Sequence, residues 1–258
     1  LLSIVAHILI KGIPNLRLDM FAWEYNTENL SMMPAIINTL TMTLLSLAIA
    51  VPIGVCSAIY LVEYSRRGNK LVKIVGTTTE TLAGIPSIVY GLFGYLIFVV
   101  ACGFNLSLLS GSLTLSIMIL PTIMRTTEEA LRAVPDSYRE GSFGLGAGRL
   151  RTVFKIILPS AAPGILSGVI LSIGRIVGES VALLFTAGSA YKLPKSLMAF
   201  FMKIREAGGT LTIEMYFRMS DGKYGQAFGI GLVLLVVVLG INFIAKWLAA
   251  RFDVNRKG

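Results

Sequence analysis

Charge is scarce in this chain. Only 14% of its 258 residues are charged, 55% are hydrophobic, and the mean hydropathy is +0.76. A soluble domain carries roughly 25% charge. A soluble all-α protein of this length would lack the residues to cover its own surface. Histidine is reduced to His7, and the two cysteines, Cys56 and Cys102, lie inside apolar runs. That rules out a Cys/His metal framework and a disulfide scaffold. No G-x-x-x-x-G-K-[ST] stretch occurs, so the chain does not itself bind ATP through a phosphate loop. There is no H-E-x-x-H and no carboxylate pair placed with a nucleophile. No catalytic residue, metal ligand or cofactor is therefore assigned to this chain.

What the sequence has is long apolar runs, and a membrane helix needs about 20 such residues. Residues 29–62 are free of charge, with Pro52 expected to kink one long helix. Residues 81–124 are also charge-free, too many for one span; Gly103-Phe104-Asn105 and Ser110-Gly111-Ser112 predict a hairpin turn between two. Five full spans follow, near 33–62, 74–101, 112–132, 156–187 and 225–248. Residues 1–13, which begin without methionine, read as the tail of a truncated first span, and 14–32 as an external loop. The expected fold class is an all-α polytopic membrane protein. Its transmembrane domain covers 33–250, followed by a cytoplasmic tail at 251–258. The polar segment 188–223 is expected outside the bilayer, as a helix lying on it.

The net charge of +9 would point to nucleic acid in a soluble protein. Here the basic residues stand in blocks between apolar runs and report orientation. One side holds Arg66, Arg67, Lys70 and Lys73, then Arg132, Arg139, Arg149, Arg151 and Lys155, then Lys246, Arg251, Arg256 and Lys257. The opposite side holds fewer, most of them in one segment: Lys192, Lys195, Lys203, Arg205, Arg218 and Lys223. Residues 63–73, 132–155 and the C-terminus are therefore expected in the cytoplasm.

One cytoplasmic stretch, 139–159, reads REGSFGLGAGRLRTVFKIILP. Pro135-Asp136-Ser137 suits a helix start with an acidic first turn. Phe143, Leu145, Leu150, Val153 and Phe154 offer apolar contacts among Arg and Lys, and Gly144, Gly146 and Gly148 permit a sharp bend. Pro159 is expected to restart a helix in the membrane. Read physically, this is a short amphipathic helix, a bend, and a return into the bilayer; an interfacial loop without a partner would look similar.

That spacing resembles the signature of ABC importer permease subunits: Glu-Ala-Ala, three residues, Gly, nine residues, Ile-x-Leu-Pro. Here it reads Glu140-Gly141-Ser142, Gly146, and Ile156-Ile157-Leu158-Pro159, with Gly141 and Ser142 in place of the two alanines. The resemblance implies that 135–159 is a coupling loop fitting a separate ATPase through Glu140, Gly141, Ser142, Gly146, Ile156, Leu158 and Pro159. It also implies a type I ABC importer transmembrane fold. The pieces 85–93, 124–128 and 174–187 are similar to phosphate-importer permeases, and Arg125-Thr126-Thr127-Glu128 with Leu183-Leu184-Phe185-Thr186-Ala187 favour the PstA branch over PstC. The implied partners are a second, similar permease, two cytoplasmic ATPase subunits carrying ATP and magnesium, and an external phosphate-binding protein, in a bacterial plasma (inner) membrane.

Four charges sit inside apolar runs: Arg125, Glu128, Arg175 and Glu179. Each costs about 2.5–3.5 kcal/mol at a helix centre. The i,i+3 and i,i+4 spacings allow each Arg to pair with its Glu on one helix face. Two functions fit: an ion-pair network holding helices together, or an anion pathway through Arg125, Glu128, Arg175 and Glu179, with Ser87 after Pro86 lining it. Arg125, near a span end, can also snorkel to the interface. Guanidinium forks match phosphate, while the neighbouring carboxylates keep binding weak enough for release. The same machine could move another cargo, such as molybdate, sulfate or an amino acid. An intramembrane enzyme using Glu128 or Glu179 would not need the 140–159 spacing, and a passive anion channel would conduct without ATP. Glu80 can pair with Lys73 or with another helix. Ser160, Gly164, Gly168 and Ser172, four residues apart, form a stripe for close helix packing.

Overall fold

The computed structural model describes residues 2–23, 25–26, 31–65, 70–190 and 202–252. Arg66, Arg67, Lys192, Lys195, Arg256 and Lys257, named above for orientation, lie outside these. The described residues form helices and no strands. They are α1 (Leu2–Gly12), α2 (Met33–Ile59, ending in a π turn Tyr60–Tyr64), α3 (Lys70–Ala83), α4 (Ser87–Gly94, continued as a π-helix Tyr95–Ala101), α5 (Leu108–Arg132), α6 (Asp136–Gly144), α7 (Arg149–Thr152, joined by a π turn Val153–Ile157 to the next helix), α8 (Leu158–Val177), α9 (Val181–Thr186), α10 (Leu211–Ser220) and α11 (Tyr224–Phe252). Four stretches are long and apolar enough to cross a membrane: Met33–Tyr64, Leu108–Arg132, Arg149–Val177 and Tyr224–Trp247. Val72–Ala83 and Ser87–Ala101 pass the same test only when taken together across a break. Counted as one span, the pair brings the number from four to the expected five.

Helix starts follow local chemistry. Ser31 Oγ accepts the Met33 amide at 3.2 Å, and Pro34 fills the first turn of α2, where its missing N–H costs nothing. Ser107 Oγ accepts the Ser110 amide at 3.1 Å and opens α5. This moves the third span's start to Leu108, so the predicted turn at Ser110-Gly111-Ser112 is helical. The real turn lies just before it, where Asn105 takes a left-handed φ of 55°. Pro52 lies inside α2 without ending it. Pro159 does not restart a helix either, because the helix already begins at Arg149 and runs through it.

The chain divides into two compact units. One comprises 1–46, 86–116 and 175–240, the other 47–85, 117–174 and 241–258. In the first, Met20, Met32, Ala35, Leu211, Ile230 and Val233 form one core cluster, and α4 packs closely on α9. The first α2 residues and α5 are tied by Ser46 Oγ donating to the Ser112 carbonyl at 3.1 Å and Ser116 Oγ to the Ser46 carbonyl at 3.2 Å. Of segment 188–223, residues 191–201 lie outside the described residues, and the helix α10 packs into this unit. Within α10, Leu211, Thr212, Ile213, Glu214 and Arg218 are buried in this unit. Asn38 Nδ2 donates to the Gly209 carbonyl at 3.0 Å, and Thr39 Oγ1 accepts the Leu211 amide at 3.0 Å.

In the second unit the core is Ala58, Ile59, Leu131, Val134, Val153, Ile157 and Ala161. It joins the end of α2 to the end of α5 and to the start of the α7–α8 helix. The small-residue stripe of α8 lies against α5: a Cβ added at Gly164 would meet the Ala130 side chain at 2.6 Å, and one at Gly168 would overlap the Thr126 hydroxyl. Without a hydrophobic drive between helices in lipid, such close backbone approach is what holds them. Outward residues such as Leu44, Ile53, Val236, Leu239 and Phe243 stay exposed and apolar, as a lipid-facing surface requires.

Candidate functional site

Three groupings of the expected site residues are resolved. The first is the loop 132–158. Pro135, with extended backbone (ψ 142°), precedes α6 and Asp136 sits in its first turn, as the sequence predicts. The chain reverses at Leu145–Gly148, where Gly146 has φ +80°, a conformation a side chain would strain. The reversal folds α7 back on α6. Ser142 is buried and shares a 2.8 Å hydrogen bond with the Thr152 hydroxyl. This is why a small residue stands there. Glu140, Gly141 and Gly146 face outward with Tyr138, Phe143, Leu145 and Leu150; Leu145 is 91% exposed. Ile156 and Leu158 pack against the unit's core, and Pro159 is half-buried. The signature thus divides into an outward half and an inward half.

Arg139 fixes this loop, though nothing in its sequence neighbourhood singles it out. It donates to Glu63 Oε1 through Nη2 at 2.7 Å and Nε at 3.2 Å, to the Val134 carbonyl at 2.8 Å and to the Leu131 carbonyl at 3.0 Å. Its exposure is 17% and that of Glu63 8%. The hydrogen bond to Glu63 raises the Arg139 pKa above its ordinary value and outweighs the desolvation of burial. Next to Glu63, Tyr64 has the Arg149 guanidinium 5.2 Å from its ring centre. A glutamate at the rim of an apolar run was the available signal for Glu63.

The second grouping surrounds Arg125. A cleft of about 220 Å³ is lined by Leu61, Gly76, Thr79, Glu80, Met124, Arg125, Glu128, Glu129 and Arg132. The expected Arg125–Glu128 pair does not form. Arg125 Nε instead donates to Glu129 at 3.1 Å, and its Nη1 lies 3.7 Å from Glu80 of α3. Glu128 accepts from Arg132 at 2.7 Å. In an α-helix the i,i+4 pairs Arg125–Glu129 and Glu128–Arg132 align better than i,i+3, and the adjacent glutamates allow both. Glu80 pairs with another helix, not with Lys73. Arg125 is 59% exposed and Glu128 half-buried.

The third grouping surrounds Arg175. The span expected to reach residue 187 is broken at 178–180, and Glu179 lies in the break. No helix face therefore joins it to Arg175, and the expected i,i+4 pair is absent among the described residues. Glu179 is a joint. Its carboxylate accepts the Ala182 amide at 3.1 Å, capping α9, and its carbonyl, left open by the break, accepts the Thr212 hydroxyl of α10 at 2.8 Å. Arg175 is half-buried, in electrostatic reach of Tyr90, and has no ion pair or hydrogen bond among the described residues. Ser87 opens α4 after a second break at 84–86 and is half-buried. An i,i+4 acid–base pair does exist, on α10: Glu214 and Arg218, both buried, at 2.5 Å. Helix α10 therefore supplies both this pair and a partner of the Glu179 joint. Polarity alone does not reveal that packing.

Residues 50–255 match the family model for the binding-protein-dependent transport system inner membrane component. The chain is 32% identical to the probable ABC transporter permease protein YqgI of Bacillus subtilis, over 96% of this chain and 88% of that one. It is 34% identical to the phosphate transport system permease protein PstA of Mycobacterium leprae, over 86% of this chain and 71% of that one. Its fold superposes on a bacterial alginate ABC transporter, crystallised with an alginate-bound periplasmic protein, with a TM-score of 0.72 at 17% identity, covering 98% of this chain and 90% of that one.

Proposed function

The chain belongs to the binding-protein-dependent transport system inner membrane components, a multi-pass membrane family with the type I ABC importer fold, and we propose that it is the PstA-like permease subunit of an ATP-driven phosphate importer. In this reading it forms half of a translocation pathway. A second, PstC-like permease forms the other half, two ATPase subunits sit in the cytoplasm with ATP and magnesium, and an external protein delivers phosphate. The chain contributes no catalytic residue. Residues 63–73, 132–155 and the C-terminus face the cytoplasm.

Arg175 carries the cargo reading. A guanidinium within an apolar bundle is costly, and no carboxylate neutralises it among the described residues. It can offer its donor fork to an oxyanion. Relatives named for phosphate transport, 34% identical over most of the chain, support that cargo. The helix break beside it supports passage: irregular backbone is tolerated at membrane depth where it is buried in protein or lines a water-filled cavity. Arg125 contributes less, since Glu129 and Glu80 already share its charge. The outward half of the 140–159 signature, with Glu140, Gly141 and Gly146, supports the ATPase contact. ATP binding closes the ATPases, the loop follows, and the spans switch from inward-open to outward-open; hydrolysis resets them.

The test is reconstitution in vesicles with both permeases, the ATPases and the binding protein. Labelled phosphate uptake should require ATP and exceed that of sulfate or molybdate. Uptake without ATP would identify a channel, and preference for another anion would replace phosphate as cargo.

A further inference from the structure

The coupling loop is held to the end of α2 twice, by adjacent residues. Glu63 takes Arg139 of α6, and Tyr64 takes Arg149, the first residue of α7. Both holders sit in the π turn Tyr60–Tyr64, which re-aims the final side chains of α2. The Arg139 fork also grips the carbonyls of Leu131 and Val134 at the end of α5, left open where that helix stops. Ser142–Thr152 then staples α6 to α7. Chain connectivity alone would link the loop to α5 and α8. These contacts add α2, which is distant in sequence.

We propose that Glu63 and Tyr64 are positioning residues that fasten the coupling loop to α2, so that loop, α2 end and α5 end move as one body through the transport cycle. The proposal rests on reading 135–159 as the ATPase-driven lever. Geometry favours a permanent fastening over a contact that opens and closes. Glu63 is almost fully buried, and opening would strand a desolvated carboxylate, a penalty of several kcal/mol per ion. The Arg125–Glu80 contact, exposed and 3.7 Å long, has no such constraint. The Tyr64 hydroxyl is buried with no hydrogen-bond partner among the described residues, so the ring face is what Arg149 uses.

The experiment uses the assembled importer in vesicles, measuring ATP hydrolysis and uptake of inorganic phosphate on the same preparation. Glu63→Gln and Arg139→Gln should leave hydrolysis within about twofold while uptake per ATP falls at least ~10-fold, the scale of breaking a buried pair. Combining Glu63→Arg with Arg139→Glu should restore about half of the coupling. Tyr64→Phe should match wild type and Tyr64→Leu should not. A second arm covers variants that fail to assemble. Glu63→Cys and Arg139→Cys, in a Cys56→Ser/Cys102→Ser background, are bridged with a short bifunctional thiol reagent. A permanent fastening leaves the bridged importer cycling within about twofold of the unbridged one. Arrest on bridging, or unchanged uptake per ATP in Glu63→Gln, overturns the proposal. If wild-type importer moves no phosphate, the cargo reading fails by itself, and the bridge is still scored on ATP hydrolysis.

Discussion

Arg125 and Arg175 look alike in sequence: each is an arginine in an apolar run with a glutamate three or four residues on. Their surroundings differ in kind. Arg125 lies on an unbroken helix, open to the cleft, shared by Glu129 and Glu80. Arg175 lies just before a break, half-buried, and the glutamate meant for it caps another helix. Spacing predicts a pair only while the helix continues. Where the backbone turns aside, Glu179 is drawn to the exposed amides of α9, and the arginine is left without a carboxylate among the described residues.

The sharpest break in this comparison is Arg175→Gln. Losing one charge-assisted contact worth ~3 kcal/mol should cut phosphate uptake about 100-fold, with ATPase assembly intact by co-purification. Wild-type uptake would remove Arg175 from the pathway, and lost assembly would make it structural. A smaller loss is expected where α8 meets the other arginine's helix. Gly168→Ala pushes a methyl into Thr126 of α5 and should cost about 1–3 kcal/mol, read as a lower melting temperature, with Ser172→Ala close to neutral by comparison. Glu179→Ala removes the α9 cap and should cost about 1 kcal/mol; Glu179→Gln, which can still accept the Ala182 amide, should recover most of it. Least of all, Arg125→Gln should change stability by under ~1 kcal/mol, as exposed pairs do, and uptake by no more than about threefold. An uptake loss matching that of Arg175→Gln would erase the distinction between the two sites.

The loop 135–159 was readable because its requirements are local. A proline and an aspartate start α6, a glycine bends the chain, and a small residue fits at Ser142. The partner of Arg139 was not readable. Glu63 lies 76 residues away, and nothing in either neighbourhood specifies the other. The four long spans followed from apolar length, as did the bent helix pair that brings the count to five when taken as one span. Their ends did not: Leu108 depends on a serine cap, and Val177 on a break that composition does not mark. Residues 202–223 are packed more closely than their polarity suggests. Polar residues are unwelcome in lipid but not in a protein interior that satisfies them, as Thr39, Glu179 and the Glu214–Arg218 pair show for α10.

Apolar run length, charge blocks and the 140–159 spacing determined, without coordinates, a multi-span helical permease with a bent loop at 135–159. These are one-dimensional quantities, because bilayer thickness and helical rise convert directly into residue counts. Tertiary structure alone decided which charges meet: Arg139 with Glu63, Arg125 with Glu129 and Glu80, and Arg175 with no carboxylate among the described residues. Pairing depends on where helices break and which residues are brought alongside, and a burial penalty of several kcal/mol per unpaired ion makes those placements decisive.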